Sequence, residues 1–386
     1  MAHKLSTRSQ RVTPFIAMDI MQDAARREAA GQSILHLEVG QPSCSLPSEL
    51  LTGAADRLQR SSQGYTVALG LDELRAAIAE DYRKRYGVTV DPRRVAVTTG
   101  SSGAFLLSFT AAFDAGDRVA MAVPGYPAYK NILESLGIEV VEVRVGAETH
   151  FQPTPETLER CGKLDGLIVA SPTNPSGSML SPKALRELCE YCDGRGVRLI
   201  SDEIYHGLTY SERASTAAAF TQTAYVINSF SKYRAMTGWR IGWMIVPEEH
   251  VRVVECLAQN LFICPPTLSQ WIAVESFSHD AAFDEVVEGY KHNRDVLLNT
   301  LGEVDGLEFA PADGAFYLYA NVKHFCEDST LLCAEMIEEI GVATTPGWDF
   351  DPSGGGEWIR LSYAGSAEVI AEAAKRIAAW LPARSR

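Results

Sequence analysis

The sequence predicts an α/β protein: a large, mostly parallel sheet covered by helices, with a smaller α+β lobe after it. Short β-branched runs alternate with helical segments through residues 95–246, as a helix-covered parallel sheet requires. Beyond about residue 266 the alternation gives way to long helices and isolated strands. No Gly/Ser linker, low-complexity tract or repeat separates the two parts.

The elements follow in order. VAVTT (95–99) leads through Gly100 into an apolar helix over Ser101–Phe113. RVAMAV (118–123) precedes PGYPAYKNILESLG, and IEVVEVRV alternates as a half-buried strand does. GLIVA (166–170), VRLIS (197–201), AYVINS (224–229) and RIGWMIV (240–246) complete the strand-like runs. A long helix is expected near 267–300, then the strand AFYLYA (315–320), a helix ending at Ile340, the strand WIRLSY and a final helix. In that last helix Ile370, Ala373, Ala374, Ile377 and Leu381 share one face. The expected organisation is an N-terminal arm over 1–45 that packs partly on the small domain, a large domain over 46–290 and a small domain over 291–386.

Composition narrows the function. Of 386 residues, 46% are hydrophobic and 22% charged, the balance of a folded globular chain. Lys+Arg is 35 against Asp+Glu 49, so the net charge is 35 − 49 = −14. That charge repels nucleic acid and anionic lipid, and no basic patch offsets it. MAHKLSTRSQRV lacks the apolar centre of a signal peptide, and Ala104–Phe113 falls short of the ~20 residues of a membrane span. Eight cysteines make no disulfide framework; a cytoplasmic protein with reduced thiols is expected. Cys189 and Cys192 form a C-x-x-C, but they share a helical face with Leu185 and Leu188 and no further ligands complete a zinc set, so buried thiols are the expectation.

Ligand chemistry in parallel sheets gathers at the carboxyl ends of strands. Those ends carry Gly100-Ser101-Ser102, Pro124-Gly125-Tyr126-Pro127, Ser171-Pro172-Thr173-Asn174-Pro175-Ser176-Gly177, Asp202-Glu203-Ile204-Tyr205 and Ser229-Phe230-Ser231-Lys232, with Arg240 eight residues on. Singly each has an ordinary alternative: a helix cap, a turn pair, a solvated lysine. Together they form a chemically complete set.

In that order SPTNPSG, DEIY and SFSKYRAMTGWRIG resemble the class I/II aminotransferases, fold-type-I enzymes that use pyridoxal 5′-phosphate. GYTVALGLDELRAAI, VTTGSSGAF, VPGYPAY, NLFICPPTLSQ, GAFYLYANV, GVATTPG and IRLSYA extend the likeness over about residues 30–380. The resemblance implies a large domain built on a mostly parallel sheet of the seven-stranded type, plus a smaller α+β domain. It implies that Lys232 bonds the coenzyme's aldehyde and shuttles the substrate's α-proton, that Asp202 pairs with the ring nitrogen, and that Tyr205 and Asn174 hydrogen-bond the phenolic oxygen. Tyr126 would stack on the ring. Ser101, Ser102, Ser229, Ser231 and Arg240 would hold the phosphate, and Tyr65 would reach the phosphate of a neighbouring subunit, implying a homodimer with shared active sites. Arg360, with Asn174 and the Gly40 N–H, would take the substrate α-carboxylate.

Two departures from the family pattern bear on specificity. The run Gly40-Gln41-Pro42-Ser43-Cys44-Ser45-Leu46-Pro47 keeps the glycine and prolines of G-x-P-D-F-x-x-P but not its acid or aromatic. Ser102 stands where an aspartate-using bacterial branch has Lys. A neutral pocket from Phe15, Ile16, Met18, Tyr65 and Tyr126 is therefore expected, favouring alanine, aromatic or aliphatic amino acids over aspartate. The expected reaction is ping-pong transfer of an amino group from an α-amino acid to a 2-oxo acid. A C–S β-lyase or other elimination enzyme uses the same residues and stays open. An effector-sensing domain of a transcription regulator is disfavoured by the charge and by a match that begins near residue 30. A nicotinamide-binding fold is disfavoured because no G-x-G-x-x-G follows these strands.

Overall fold

The computed structural model describes residues 4–385. Helix α1 (Ile16–Ala29) and strand β1 (Leu35–His36) lead to α2 (Ser48–Arg60) and α3 (Asp72–Tyr86), two helices that the strand–helix alternation did not specify. The large sheet then builds from β2 (Val95–Thr98), β3 (Arg118–Val123), β4 (Glu139–Arg144), β5 (Gly166–Ala170), β6 (Arg198–Asp202), β7 (Tyr225–Ser229) and β8 (Gly242–Ile245). Its connections carry α4 (Gly100–Ala112), α5 (Pro127–Leu136), α6 (Pro155–Glu159) and α7 (Pro182–Arg195). After it come α8 (Val251–Leu261), α9 (Thr267–Ser276), α10 (Asp280–Leu301), β9 (Glu308–Phe309), β10 (Tyr317–Asn321), α11 (Ser329–Ile340), β11 (Val342–Ala343), β12 (Thr345–Pro346), β13 (Trp358–Ser362) and α12 (Ala367–Trp380).

The seven-stranded sheet has the order β2-β8-β7-β6-β5-β3-β4. Strands β3 to β7 pair in parallel, while β8 is antiparallel to both β2 and β7. That reversal matters for the site. The register sets Ala170 beside Asp202, Asp202 beside Ile227, Ser229 beside Gly242 and Gly242 beside Thr98. The start of β8 therefore lies at the same edge as the ends of β2, β5, β6 and β7, which brings Arg240 to the rim that carries Asp202 and the Ser229–Lys232 turn.

Strands covered on both faces need continuous apolar runs, and β5, β6 and β7 are buried almost throughout. Helix α4 is buried along Gly103, Ala104, Phe105, Leu107, Ser108 and Phe109 because it packs against β7, β8, α5 and α8. Fully burying each such large apolar side chain stabilises by about 1.5–3 kcal/mol.

The smaller lobe holds an antiparallel sheet in the order β12-β13-β10-β9. The N-terminal arm joins it: β1 pairs in parallel with β11, and Asp349 accepts hydrogen bonds from the Ile16 and Ala17 N–H groups at 2.9 and 3.3 Å, satisfying first-turn donors of α1. One expectation is corrected. The long helix near 267–300 is two helices, α9 and α10. The Glu275 carbonyl accepts from the Ser278 hydroxyl at 2.7 Å and the Ser276 carbonyl from Arg234 at 2.7 Å, so side chains take acceptors that a continuous helix would use. Cys189 and Cys192 are buried in α7, where burial pushes both thiols up, Cys189 to about 12. None of the helices among the described residues is long and apolar enough to cross a membrane, and no cluster of potential metal ligands occurs among them.

Candidate active site

A cavity of about 420 Å³ opens at the carboxyl edge of the large sheet. Its wall includes Gly40, Ser101, Ser102, Tyr126, Asn174, Asp202, Tyr205, Ser231, Lys232, Arg240 and Arg360, so eleven residues singled out from separate stretches of sequence meet in one place.

Asp202 ends β6 and is 4% exposed. One carboxylate oxygen accepts from the Tyr129 hydroxyl and the other from the Ile204 N–H at 3.0 Å. Burial nevertheless pushes its carboxyl up to about 6, against the pull of those donors and of Lys232. Lys232 donates through Nζ to the Gly40 carbonyl at 2.6 Å. Burial, and then the positive charges of Arg360 and Arg240, lower its amine to about 8, with Asp202 acting the other way. That is the environment a reactive lysine needs, because only the neutral amine is a nucleophile or base.

Arg360, on β13, is 2% exposed. It donates to Asn174 Oδ1 at 3.0 Å, to the Glu38 carbonyl at 2.5 Å and to Thr345 Oγ1 at 3.2 Å. The guanidinium stacks 4.5 Å from the Tyr317 ring and 4.7 Å from Phe350, and its Nε is buried without a hydrogen-bond partner. Arg240 donates to the Thr237 carbonyl at 3.0 Å. The hydrogen-bond partners of all three cations are thus uncharged oxygens. Arg360 is buried and Lys232 half-buried among neutral groups, and Arg240 stands exposed at the rim; cations partnered only by neutral oxygens favour an anion in the cavity.

Two glycines shape that wall. A Cβ on Gly100, at φ +66°, would fall 2.5 Å from Arg240 Nη2, so the glycine lets the guanidinium close over the start of α4. A Cβ on Gly40 would sit 1.7 Å from the Tyr317 hydroxyl, so only glycine lets the 38–41 segment approach β10. The Tyr317 hydroxyl in turn lies 2.8 Å from that of Tyr205.

The other singled-out residues lie as follows. Ser229 is off the wall, with its hydroxyl facing Ser231 Oγ at 2.9 Å and the Ile241 carbonyl at 3.0 Å. Tyr65 is 82% exposed and lies outside the cavity of its own chain. Phe15 and Met18 line the cavity with Tyr126, Phe15 meeting Tyr126 edge-on at 5.9 Å; Ile16 does not line it. Tyr126 packs edge-on against Tyr129 at 5.3 Å, and burial raises its phenol to about 12.

Sequence reasoning missed Tyr129, Phe105, Glu38, Gln41, Thr237, Gly238 and Tyr317 on the wall. Tyr129 had a legible signal, since it stands three residues after Tyr126 on one face of α5. Glu38 had none, because it acts through a backbone carbonyl.

The family described as aminotransferase class I and II matches residues 32–377. A valine–pyruvate aminotransferase of Mycobacterium tuberculosis is 48% identical, covering 97% of each chain. A (5-formylfuran-3-yl)methyl phosphate transaminase of Methanocaldococcus jannaschii is 33% identical over 98% of this chain and 99% of its own. Among solved structures, an aminotransferase from M. tuberculosis superposes with a TM-score of 0.96 at 48% identity, covering 99% of this chain and all (100%) of that one.

Proposed function

The chain belongs to the class I and II aminotransferases, and on that premise we propose that it moves the amino group of a neutral L-α-amino acid to a 2-oxo acid in ping-pong order, as a pyridoxal-phosphate-dependent homodimer. The observation that carries this is one buried acid, Asp202, facing a cavity whose three cations, Lys232, Arg240 and Arg360, bond only neutral oxygens.

Members of this family work with pyridoxal 5′-phosphate, which when bound supplies an aldehyde for amines and a ring that accepts the electrons of a broken Cα–H bond. The residues fit that group: the Gly100–Arg240 cradle is open only because no Cβ fills it, and the unpartnered Nε of buried Arg360 is left for the substrate's carboxylate. Arg240, Ser231 and the N–H groups that open α4 would hold the phosphate, with Ser229 orienting Ser231. Asp202 would face the ring nitrogen, itself held by Tyr129 and the Ile204 N–H. Tyr205 and Asn174 would bond the phenolic oxygen, and Tyr126 would cover the ring face.

Lys232 would provide the amine that holds the coenzyme, and its free amine would carry the proton to and from the substrate α-carbon. Its amine near 8 keeps a useful neutral fraction at physiological pH. Arg360 takes the α-carboxylate, already oriented by Asn174 and the Glu38 carbonyl; an anion there neutralises a charge now held by neutral groups. In the ping-pong order the donor leaves as its 2-oxo acid before the acceptor enters. The wall of Phe15, Met18 and Tyr126, with neutral Ser102 at the phosphate turn, supports a neutral side chain, as does the valine–pyruvate activity named for the 48% identical relative. The dimer is supported by exposed apolar side chains on the Tyr65 loop and on the segment it reaches: Val67, Leu261 and Ile263. The 65–67 loop reaches the 261–264 loop through a Thr66 N–H to Cys264 Sγ contact of 3.4 Å.

The test is a single-turnover experiment. Coenzyme-loaded protein is mixed with L-valine, L-alanine, L-phenylalanine or L-aspartate without an acceptor. One equivalent of 2-oxo acid per site from the neutral donors, without ammonia, is the expected outcome. Continuous release of pyruvate and ammonia from a β-substituted amino acid would assign elimination instead.

A further inference from the structure

Tyr233 and Arg234, the two residues after Lys232, have no place on the cavity wall, yet they are only 7% and 3% exposed. Arg234 donates to the Ser276 carbonyl at 2.7 Å, and its Nη2 lies 2.9 Å from Asp280 Oδ1 and 3.7 Å from Asp81 Oδ1. Arg85 closes the square, 2.8 Å from Asp81 and 3.1 Å from Asp280. The Arg234 guanidinium stacks 4.1 Å from the Phe277 ring, and the Tyr233 hydroxyl donates to Asp284 at 2.6 Å.

These partners sit at one joint. Asp81 and Arg85 belong to α3, Ser276 ends α9, and Asp280 and Asp284 open α10. Helix α9 packs on α2 and α3 beside the large sheet, while α10 packs on α12 of the smaller lobe. The turn that carries Lys232 is therefore bonded to the point where one lobe passes into the other. An arginine–aspartate network around a buried guanidinium is poor evidence of a stability gain, because an apolar side chain could fill that space without the desolvation cost; what it supplies here is a fixed set of directions.

We propose that Arg234 is a positioning residue for the transfer reaction: it locks the Lys232 turn to the α9–α10 joint, so that the Lys232 amine keeps one depth in the cavity. Arg234 is not on the cavity wall and acts through Lys232. The proposal rests on the reading of Lys232 as the reactive amine, and its test includes a measurement that does not depend on turnover.

In coenzyme-free protein, the rate at which acetic anhydride labels Lys232 is followed across pH by peptide mass spectrometry. Arg234→Met is expected to raise the labelling midpoint by about one pH unit towards the ordinary lysine value, as a loosened turn admits water to the amine. In the loaded enzyme it is expected to lower kcat about tenfold or more with KM within about threefold, and Arg234→Lys to recover part of the loss. Asp280→Asn separates tether from field. Loss of a negative charge alone would lower the midpoint, whereas a loosened turn raises it. A fall or no change in Asp280→Asn, or an unchanged kcat in Arg234→Met, overturns the proposal. Should Arg234→Met not fold, Arg234→Lys and Asp280→Asn, whose side chain is 43% exposed in the present structure, decide it by the same two readouts. Full turnover by Lys232→Ala would end the catalytic reading of that amine and leave the labelling shift to judge the tether separately.

Discussion

Replacing Lys232 with methionine should stabilise the coenzyme-free protein near neutral pH while abolishing transfer. The amine titrates near 8 in the folded protein against 10.5 as an ordinary lysine. At 1.36 kcal/mol per unit, holding it protonated in the cavity costs about 3 kcal/mol. Because the folded value is the lower one, the penalty is absent above pH 10.5, grows as pH falls towards 8 and is constant below. Methionine removes the penalty but also the hydrogen bond to Gly40, worth about 1 kcal/mol. The expected balance is a gain of about 2 kcal/mol at pH 7 and a loss of about 1 kcal/mol near pH 11. With an unfolding entropy of about 2.1 cal/mol/K per residue, the gain at pH 7 raises the midpoint of a chain this size by roughly 2–3 °C. Calorimetry of both coenzyme-free proteins at pH 7 and near pH 11 tests this. Added pyridoxal 5′-phosphate should then stabilise the wild type more, since ligand bound to the folded state adds to its stability. A Lys232→Met variant less stable than wild type at pH 7, or a difference that ignores pH, would refute the reasoning that two guanidiniums and burial hold the amine down.

Other changes have equally definite outcomes. Arg360→Ala should raise the KM for amino acids by about 10²–10³, the worth of a lost two-pronged carboxylate contact, with a smaller effect on kcat; a drop in expression alone would mean a structural role. Gly40→Ala should cut activity sharply, because its methyl would meet the Tyr317 hydroxyl and move the carbonyl that holds Lys232; wild-type kinetics would contradict that contact. Tyr129→Phe removes a donor that favours the ionised Asp202, so the carboxyl should titrate above about 6. The sign follows: an acid raised in the folded state loses stability as pH rises from its unfolded value through its folded one, and the variant's loss should extend to higher pH. A stability–pH curve identical to wild type would count against Tyr129 as the partner.

Much of the large sheet was legible because strands buried on both faces must be apolar along their whole length, and runs such as GLIVA and AYVINS are short, rich in β-branched residues and bounded by turns, which favours a strand over a buried helix. The chemistry at their ends was legible for a related reason: Asp202 ends a strand, Asn174 and Lys232 follow one within a few residues, and in a parallel sheet those ends share an edge. Specific motif spacing added the family and, with it, the expected roles. The break between α9 and α10 was not legible. It depends on Arg234 taking the Ser276 carbonyl, a bond between residues 42 positions apart.

What the sequence alone determined is therefore which groups are available and on which strand ends they stand, since burial and period are local properties of the chain. What only the tertiary structure decided is their facing. The reversed β8 brings Arg240 to the same rim, the 38–41 segment lays carbonyls on Arg360 and Lys232 from far upstream, and Asp349 draws α1 against the cavity. These are long-range pairings in which one partner is always a backbone group, and no spacing along the chain encodes them. They set the burial and the neighbouring charges that lower one amine and raise one acid.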